Sequence, residues 1–261
     1  MNILDKIVSD KRREVALKKS LVSIHRLEAS PLMDHKPISL AAALRASRSG
    51  VIAEHKRRSP SKAEINHSHT VEEVAKGYES AGACGMSVLT DGKYFGGSLD
   101  DLVLARASVG LPILRKEFII DPYQILEAKA YGADLILLIA STLSREEIKA
   151  FSELAKSLGL EVLLEVHNLE ELQRSLMPSL DLLGVNNRNL KTFEVDLGTS
   201  KKLSAHIPGE FVKVSESGIS SPAAIVELRP YGYQGFLIGE RFMVTGDPGK
   251  SAGELIKTLE R

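Results

Sequence analysis

Eight short apolar runs, each long enough for one strand, recur along the chain at intervals of roughly 20 to 35 residues. They are VIAEHK from Val51, GMSVLTD from Gly85, PILRKEF from Pro112 and LILLIAS from Leu135. LEVLLEVH from Leu160, LLGVNNR from Leu182, FVKVSES from Phe211 and GFLIGE from Gly235 complete the set. Within the runs the apolar residues are consecutive instead of alternating. That pattern belongs to parallel strands covered on both faces, because a strand with one wet face would carry a polar residue at every second position. The segments between the runs carry helix punctuation. Thr70-Val-Glu-Glu73 and Ser144-Arg-Glu-Glu147 are capping boxes, and Asp121-Pro122 and Ser221-Pro222 set a capping residue before a proline at the first helical position. Gly132, Gly159 and Gly232 stand just past helix ends, where a left-handed residue closes the last turn. Eight such units in about 210 residues, with no linker rich in Pro, Gly or Ser, predict an α/β fold: one closed (β/α)8 TIM barrel. An open doubly wound sheet is the second choice; it usually has fewer strands, and the GxGxxG fingerprint often found after its first strand is absent.

Residues 1–48 precede the first run and read as an N-terminal helical extension packed on a barrel of residues 49–261. Ile3, Leu4, Ile7, Val8, Val15 and Leu17 give the extension an amphipathic pattern, so one or two extra helices are expected. Lys11-Arg12-Arg13 and Lys18-Lys19 read as solvated helix faces. Met1 to Val8 includes Asp5 and Lys6 and lacks the long apolar core of a secretory leader. No run approaches the roughly 20 apolar residues of a membrane-spanning helix, so a cytoplasmic protein is expected, with no membrane partner. Lys plus Arg (34) balances Asp plus Glu (34), which gives no general attraction to nucleic acid and makes any anion site local. The one cysteine, Cys84, rules out an internal disulfide; its small and apolar neighbours mark it as a buried packing thiol.

In a barrel of this kind the C-terminal strand ends and the loops after them form the active face, and the polar residues gather there. The first strand ends in Glu54 and Lys56, the third in Arg115, Lys116 and Glu117, and the fifth in Glu165. The sixth ends in Asn186, Asn187 and Arg188, the seventh in Ser215, Glu216 and Ser217, and the eighth in Gly239 and Glu240. The second and fourth end more quietly, in Thr90-Asp91 and Ser141-Thr142. Strand alternation divides them: with Lys116 and Lys56 inward, Arg115, Glu117, His55 and Arg57 point outward. Glu54, Lys56, Lys116, Glu165, Asn186 and Glu216 remain as candidates for one cavity. Carboxylates and ammonium groups crowded together are costly unless paired and shift each other's pKa, which is common where chemistry is done. SESGIS and LIGERF, after the seventh and eighth strands, lie where many such barrels bind phosphate through backbone N–H groups. His67 and His69 have metal-ligand spacing but no supporting Cys or carboxylate cluster, so no metal site is assigned. His167 ends the fifth run, where it could face the site, but a loop histidine is the preferred reading; nothing has the context of a nucleophile elbow.

The motifs together resemble the indole-3-glycerol phosphate synthase family, over the whole length from the first strand to the last and in the N-terminal extension. The likeness rests on AEHKRRSPSK (53–62), SVLTDGKYFGGS (87–98), PILRKEF (112–118), LLEVHN (163–168), GVNNRNLKTFEVD (184–196), VSESGI (214–219) and FLIGERFM (236–243). The resemblance implies catalytic roles for Glu54, Lys56, Ser59, Lys116, Glu165, Asn186 and Ser217. It implies substrate contacts from Glu216, Arg188, Phe95, Phe118 and Leu137, and a phosphate held by Ser217, Gly218, Gly239 and Glu240. The implied reaction converts 1-(2-carboxyphenylamino)-1-deoxyribulose 5-phosphate into indole-3-glycerol phosphate, carbon dioxide and water, a lyase step of tryptophan biosynthesis with no metal or organic cofactor. A monomer is expected. Lys116 is the expected general acid for the ketone oxygen, Lys56 the partner of the substrate carboxylate, and Glu165 the manager of the remaining proton steps. One departure from the family pattern is Ala63, where glycine is common after SPSK; a left-handed backbone there would strain alanine. Other phosphate-binding barrels, a Schiff-base aldolase using Lys116, and a catalytically silent scaffold are the competing readings.

Overall fold

The computed structural model describes residues 3–190 and 192–260; residues 1, 2, 191 and 261, which include the extreme ends of the two expected regions, lie outside it. Each apolar run forms a strand: β1 (Val51–His55), β2 (Gly85–Leu89), β3 (Ile113–Lys116), β4 (Leu135–Ile139), β5 (Glu161–Val166), β6 (Leu182–Asn186), β7 (Val212–Glu216) and β8 (Tyr233–Ile238). They pair in parallel and in chain order, and β8 pairs with β1, which closes the barrel. Three helices come first: α1 (Ile3–Leu21), α2 (Ile24–Glu28) and α3 (Leu40–Ala46). The outer ring is α4 (Val71–Ser80), α5 (Gly92–Phe95), α6 (Leu99–Ser108), α7 (Tyr123–Ala130), α8 (Arg145–Ser157) and α9 (Leu169–Ser175). It continues with α10 (Gly198–Ser204), α11 (Pro222–Leu228), α12 (Glu240–Met243) and α13 (Pro248–Glu260). Among the described residues no helix is long and apolar enough to cross a membrane.

The punctuation works as its chemistry predicts. Thr70 and Ser144 each accept the backbone N–H of the glutamate three residues on, which bonds back to the cap. Ser221 caps α11 with Pro222 at the first position. At Asp121-Pro122 the helix starts one residue later than expected, with the Asp121 carboxylate accepting the N–H of Tyr123. Gly132, Gly159 and Gly232 have φ of 84°, 78° and 84°.

Two apolar layers result from the parity of the strands. Outward residues such as Val51, Met86, Ile136, Leu164 and Val185 pack against the helix ring. Inward residues Ile52, Leu114, Leu135, Leu163, Leu182 and Val212 fill the barrel, and Leu40 and Leu44 of α3 join them. Burying side chains like these contributes about 1.5–3 kcal/mol each. The lower half is therefore solid, and polar chemistry has room only at the upper rim. Cys84, just before β2, is buried as expected.

The extension departs from its expected charge pattern. Lys11 is not solvated: its ammonium group lies 2.9 Å from Asp91, 3.0 Å from Glu117 and 2.8 Å from Glu14, with 2% of the side chain exposed. Lys18 and Lys19 also pair, with Glu14 and Glu127 and with Asp121, while Arg12 and Arg13 stay exposed. Ile7 and Val15 are buried, but Leu17 points to solvent, 61% exposed. The helix thus docks through a buried cation, which a surface reading of a Lys-Arg-Arg run misses.

Candidate active site

The inward residues of the upper rim converge on one cluster. Lys116 Nζ, at the end of β3, lies 2.5 Å from Glu216 Oε2 at the end of β7 and 3.1 Å from Glu165 Oε2 on β5. Glu165 Oε1 accepts a bond of 3.1 Å from Asn186 Nδ2, and Asn186 Oδ1 accepts the backbone N–H of Arg188 at 3.0 Å. Asn186 is thereby fixed at both ends. On β1, Glu54 Oε1 and Lys56 Nζ pair at 2.7 Å. Two glycines make this crowding possible. A Cβ on Gly184 would stand 2.3 Å from Glu216 Oε1, and one on Gly239 would stand 2.5 Å from Glu54 Oε1.

The charges are unequal in comfort. Burial opposes the charged form of Lys116, but Glu216, Glu165 and Glu54 overcome it and hold the ammonium form well above its ordinary range. Burial likewise pushes Glu165 up; the charges of Lys116 and His167 and the bond from Asn186 outweigh it, so Glu165 sits below the usual carboxylate range. Glu216 goes the other way. Burial, with Glu165 adding to it, outweighs the attraction of Lys116 and pushes it up to about 7. A physical reason is visible: Glu216 Oε1 is buried without a hydrogen-bond partner.

These groups face a cavity of about 510 Å³, and every residue proposed from the sequence lines it. Phe95 and Phe118 give one wall, their rings 6.0 Å apart and tilted by 40°, and Leu89, Leu137 and Ile139 extend it. Ser217 and Gly218 follow β7 with φ of 65° and 78°. Asn187 holds that turn by donating to the carbonyls of Glu216 and Ser217 at 3.0 and 3.1 Å. Gly239 caps the short α12, whose first N–H groups, from Glu240 and Arg241, have no carbonyl within the helix to reach. Ser59 sits in a tight turn closed by paired backbone bonds to Lys62, and Lys62 reaches Glu240 at 3.2 Å. Ala63, in the same loop, is not among the residues with positive φ, so alanine is unstrained there.

The outward charges of the same strands form a second, structural set. Arg115 is fully buried and bonds to Glu127, the carbonyl of Gln124 and Thr90. Glu117 accepts from Thr90 and pairs with Lys11, and Arg57 grips Asp101 with both terminal nitrogens. His55, buried against the helix layer, is pushed down to about 4 by burial and by the Arg57 charge. His67 is exposed, and among the described residues no group of three or more His, Cys, Asp or Glu is placed to hold a metal ion.

The sequence reading missed three parts. Ile3, Leu4 and Ile7 of α1 line the cavity, as do Leu190, Phe193 and Val195 of the loop after β6. Their apolar character was visible, but not the side on which they dock. His167 is set between two carboxylates, with 13% of its side chain exposed, instead of lying in an open loop.

A strand order, a lysine between two carboxylates and a phosphate-style rim would suit several barrels; comparison with known proteins decides among them. The family model described as indole-3-glycerol phosphate synthase matches residues 4–255. The chain belongs to the indole-3-glycerol phosphate synthase family. Its relatives include the indole-3-glycerol phosphate synthase of Bacteroides thetaiotaomicron, 47% identical over 259 residues and covering 99% of both chains. That of Mycolicibacterium gilvum is 42% identical over 97% of this chain and 93% of its own. Beyond the family, thiamine phosphate pyrophosphorylase from Pyrococcus furiosus superposes with a TM-score of 0.59 at 18% identity, over 82% of this chain and 96% of its own; that likeness concerns the barrel fold alone.

Proposed function

We propose that this protein is an indole-3-glycerol phosphate synthase, closing the indole ring of 1-(2-carboxyphenylamino)-1-deoxyribulose 5-phosphate with loss of carbon dioxide and water. The observation that carries the reading is Lys116, a partly buried ammonium group between Glu165 and Glu216 that lines the cavity with 14% of its side chain exposed. The ring carbon bearing the carboxylate attacks the ketone carbon. As that bond forms, the ketone oxygen needs a proton, and Lys116 supplies it. Carbon dioxide then leaves, its bonding electrons restoring the aromatic ring. The new hydroxyl departs as water when it gains a proton, while Glu165 removes the proton whose loss completes the indole.

The remaining residues position the substrate. Lys56, oriented by Glu54, holds the substrate carboxylate, with Ser59 and Arg188 at the rim. The aromatic ring fits the wall of Phe95, Phe118 and Leu137, and the phosphate the backbone around Ser217, Gly218, Gly239 and Glu240. Asn186 positions Glu165 in the free enzyme. An aldolase using Lys116 is the weaker reading, since imine formation needs a neutral amine and the surrounding carboxylates favour the ammonium form. We take the protein to act as a monomer in the cytoplasm, with residues 49–261 as the catalytic barrel and 1–48 as its extension.

The test is direct. The chain has no tryptophan, so indole fluorescence on adding the substrate has little intrinsic background. A rise supports the reading; no rise from folded protein overturns it.

A further inference from the structure

His167 takes no part in the scheme above, yet its surroundings are unusual. It follows β5, two residues beyond Glu165, so both side chains point to the same side of the strand. Nδ1 lies 3.2 Å from Glu171 Oε2, and Nε2 lies 3.3 Å from Glu165 Oε1. Only 13% of the side chain is exposed. A neutral imidazole donates from one nitrogen alone, so a largely enclosed ring with a carboxylate at each nitrogen is satisfied only when both are protonated.

The two carboxylates are not equivalent. Glu171 is fixed at the start of α9: Oε2 also accepts the backbone N–H of His167 at 2.8 Å, and Oε1 accepts Asn168 Nδ2 at 2.8 Å. The ring is therefore anchored on the α9 side. On the other side, Nε2 reaches Glu165 at ion-pair distance but without hydrogen-bond alignment. On this side Glu165 is held by charge, while its directed bonds come from Lys116 and Asn186.

We propose that His167 is a positioning residue for Glu165: an imidazolium anchored by Glu171 that keeps the Glu165 carboxylate ionised and aimed at the cavity. The charged groups around the ring are Glu165 on β5, with Lys116 of β3 on its other oxygen, Glu171 on α9 and Glu216 on β7. Burial alone favours the neutral ring; the bond to Glu171 and the charges of Glu165, Glu171 and Glu216 outweigh it and raise its pKa. The same charge holds Glu165 down, so base and positioning group stabilise each other. The kinetic consequence rests on the synthase reading; the coupling itself does not.

Two measurements separate them. In substrate-free protein labelled with ¹⁵N-histidine, the His167 signal, assigned by its loss in His167→Gln, should titrate above the usual histidine range and move down in Glu165→Gln. A His167 titration unmoved by Glu165→Gln overturns the proposal whether or not the protein makes indole. In turnover assays, His167→Gln should lower kcat about tenfold with KM within about twofold. The acidic limb of its kcat–pH profile should move up by about one pH unit, because losing a neighbouring positive charge raises the pKa of a carboxylate. Glu171→Gln should move the limb the same way by less. A limb that stays in place in both variants overturns the proposal, whatever happens to the overall rate. If the wild-type protein makes no indole, the synthase reading fails and the histidine titration still decides the coupling.

Discussion

One ammonium group facing two buried carboxylates sets the chemistry at the level of single residues. Lys116 cannot neutralise both, and the misfit falls on Glu216, whose Oε1 finds no partner. Replacing Lys116 by alanine should lower turnover by about 10²- to 10⁴-fold, the range for losing a general acid, in protein whose circular dichroism is unchanged. Near-normal turnover would remove Lys116 from its role. Glu216 predicts a pH effect on stability. Its folded value, pushed up to about 7, lies above the ordinary 4.5, so between those limits the folded state keeps a proton that the unfolded state has lost. Stability should therefore fall as pH rises through that window, and the fall should stop above it. In Glu216→Gln the side chain stays neutral, and urea midpoints between pH 5 and 8 should decline less than in the wild type. Parallel declines would mean that Glu216 is ionised throughout.

At the level of elements, two glycines and one lysine decide where the reactive groups stand. Gly184 on β6 leaves the space that Glu216 Oε1 occupies. Gly184→Ala should displace that carboxyl and with it Lys116, costing about 10²-fold in kcat because small misplacements of reacting groups are that expensive. A thermal melt close to wild type would separate this from unfolding. Gly184 was readable only as part of a strand, since its use depends on β7 lying beside it. The strands themselves were legible because run length, caps and glycines all pointed the same way, and strand parity alone turned Arg115, Glu117, His55 and Arg57 outward. Lys11 was not legible. Its partners Asp91 and Glu117 follow β2 and β3, and nothing local to a Lys-Arg-Arg run reveals a docking partner so distant in sequence. His167 did leave a signal: Asn168 and Glu171 have capping spacing, which brings the Glu171 carboxylate back over the end of β5.

Across the whole molecule, the cavity is shared between opposite sides of the barrel. Lys11 pins α1 over the ends of β2 and β3, placing Ile3, Leu4 and Ile7 in the cavity lining. The proposed phosphate backbone follows β7 and β8, and β7 stands four strands from β3 in the closed order. A ligand spanning both sides ties the extension to the barrel, whereas a bare phosphate touches only one side. Indole-3-glycerol phosphate at about 100 times its Kd should add about 2.7 kcal/mol of stability, a rise of roughly 5–10 °C in Tm for a chain of this size. Lys11→Ala leaves Asp91 and Glu117 buried with their cation gone, which should cost about 3 kcal/mol and expose α1 to hydrogen exchange. With α1 loosened, the variant should bind indole-3-glycerol phosphate more weakly while its affinity for inorganic phosphate stays within about twofold, because Lys11 anchors α1 at the ends of β2 and β3 and the proposed phosphate backbone follows β7 and β8. Calorimetric titration with each ligand checks this. Equal weakening of both would mean that Lys11 supports the barrel rim as a whole; weakening confined to the larger ligand assigns α1 to the half of the cavity that receives the aromatic ring.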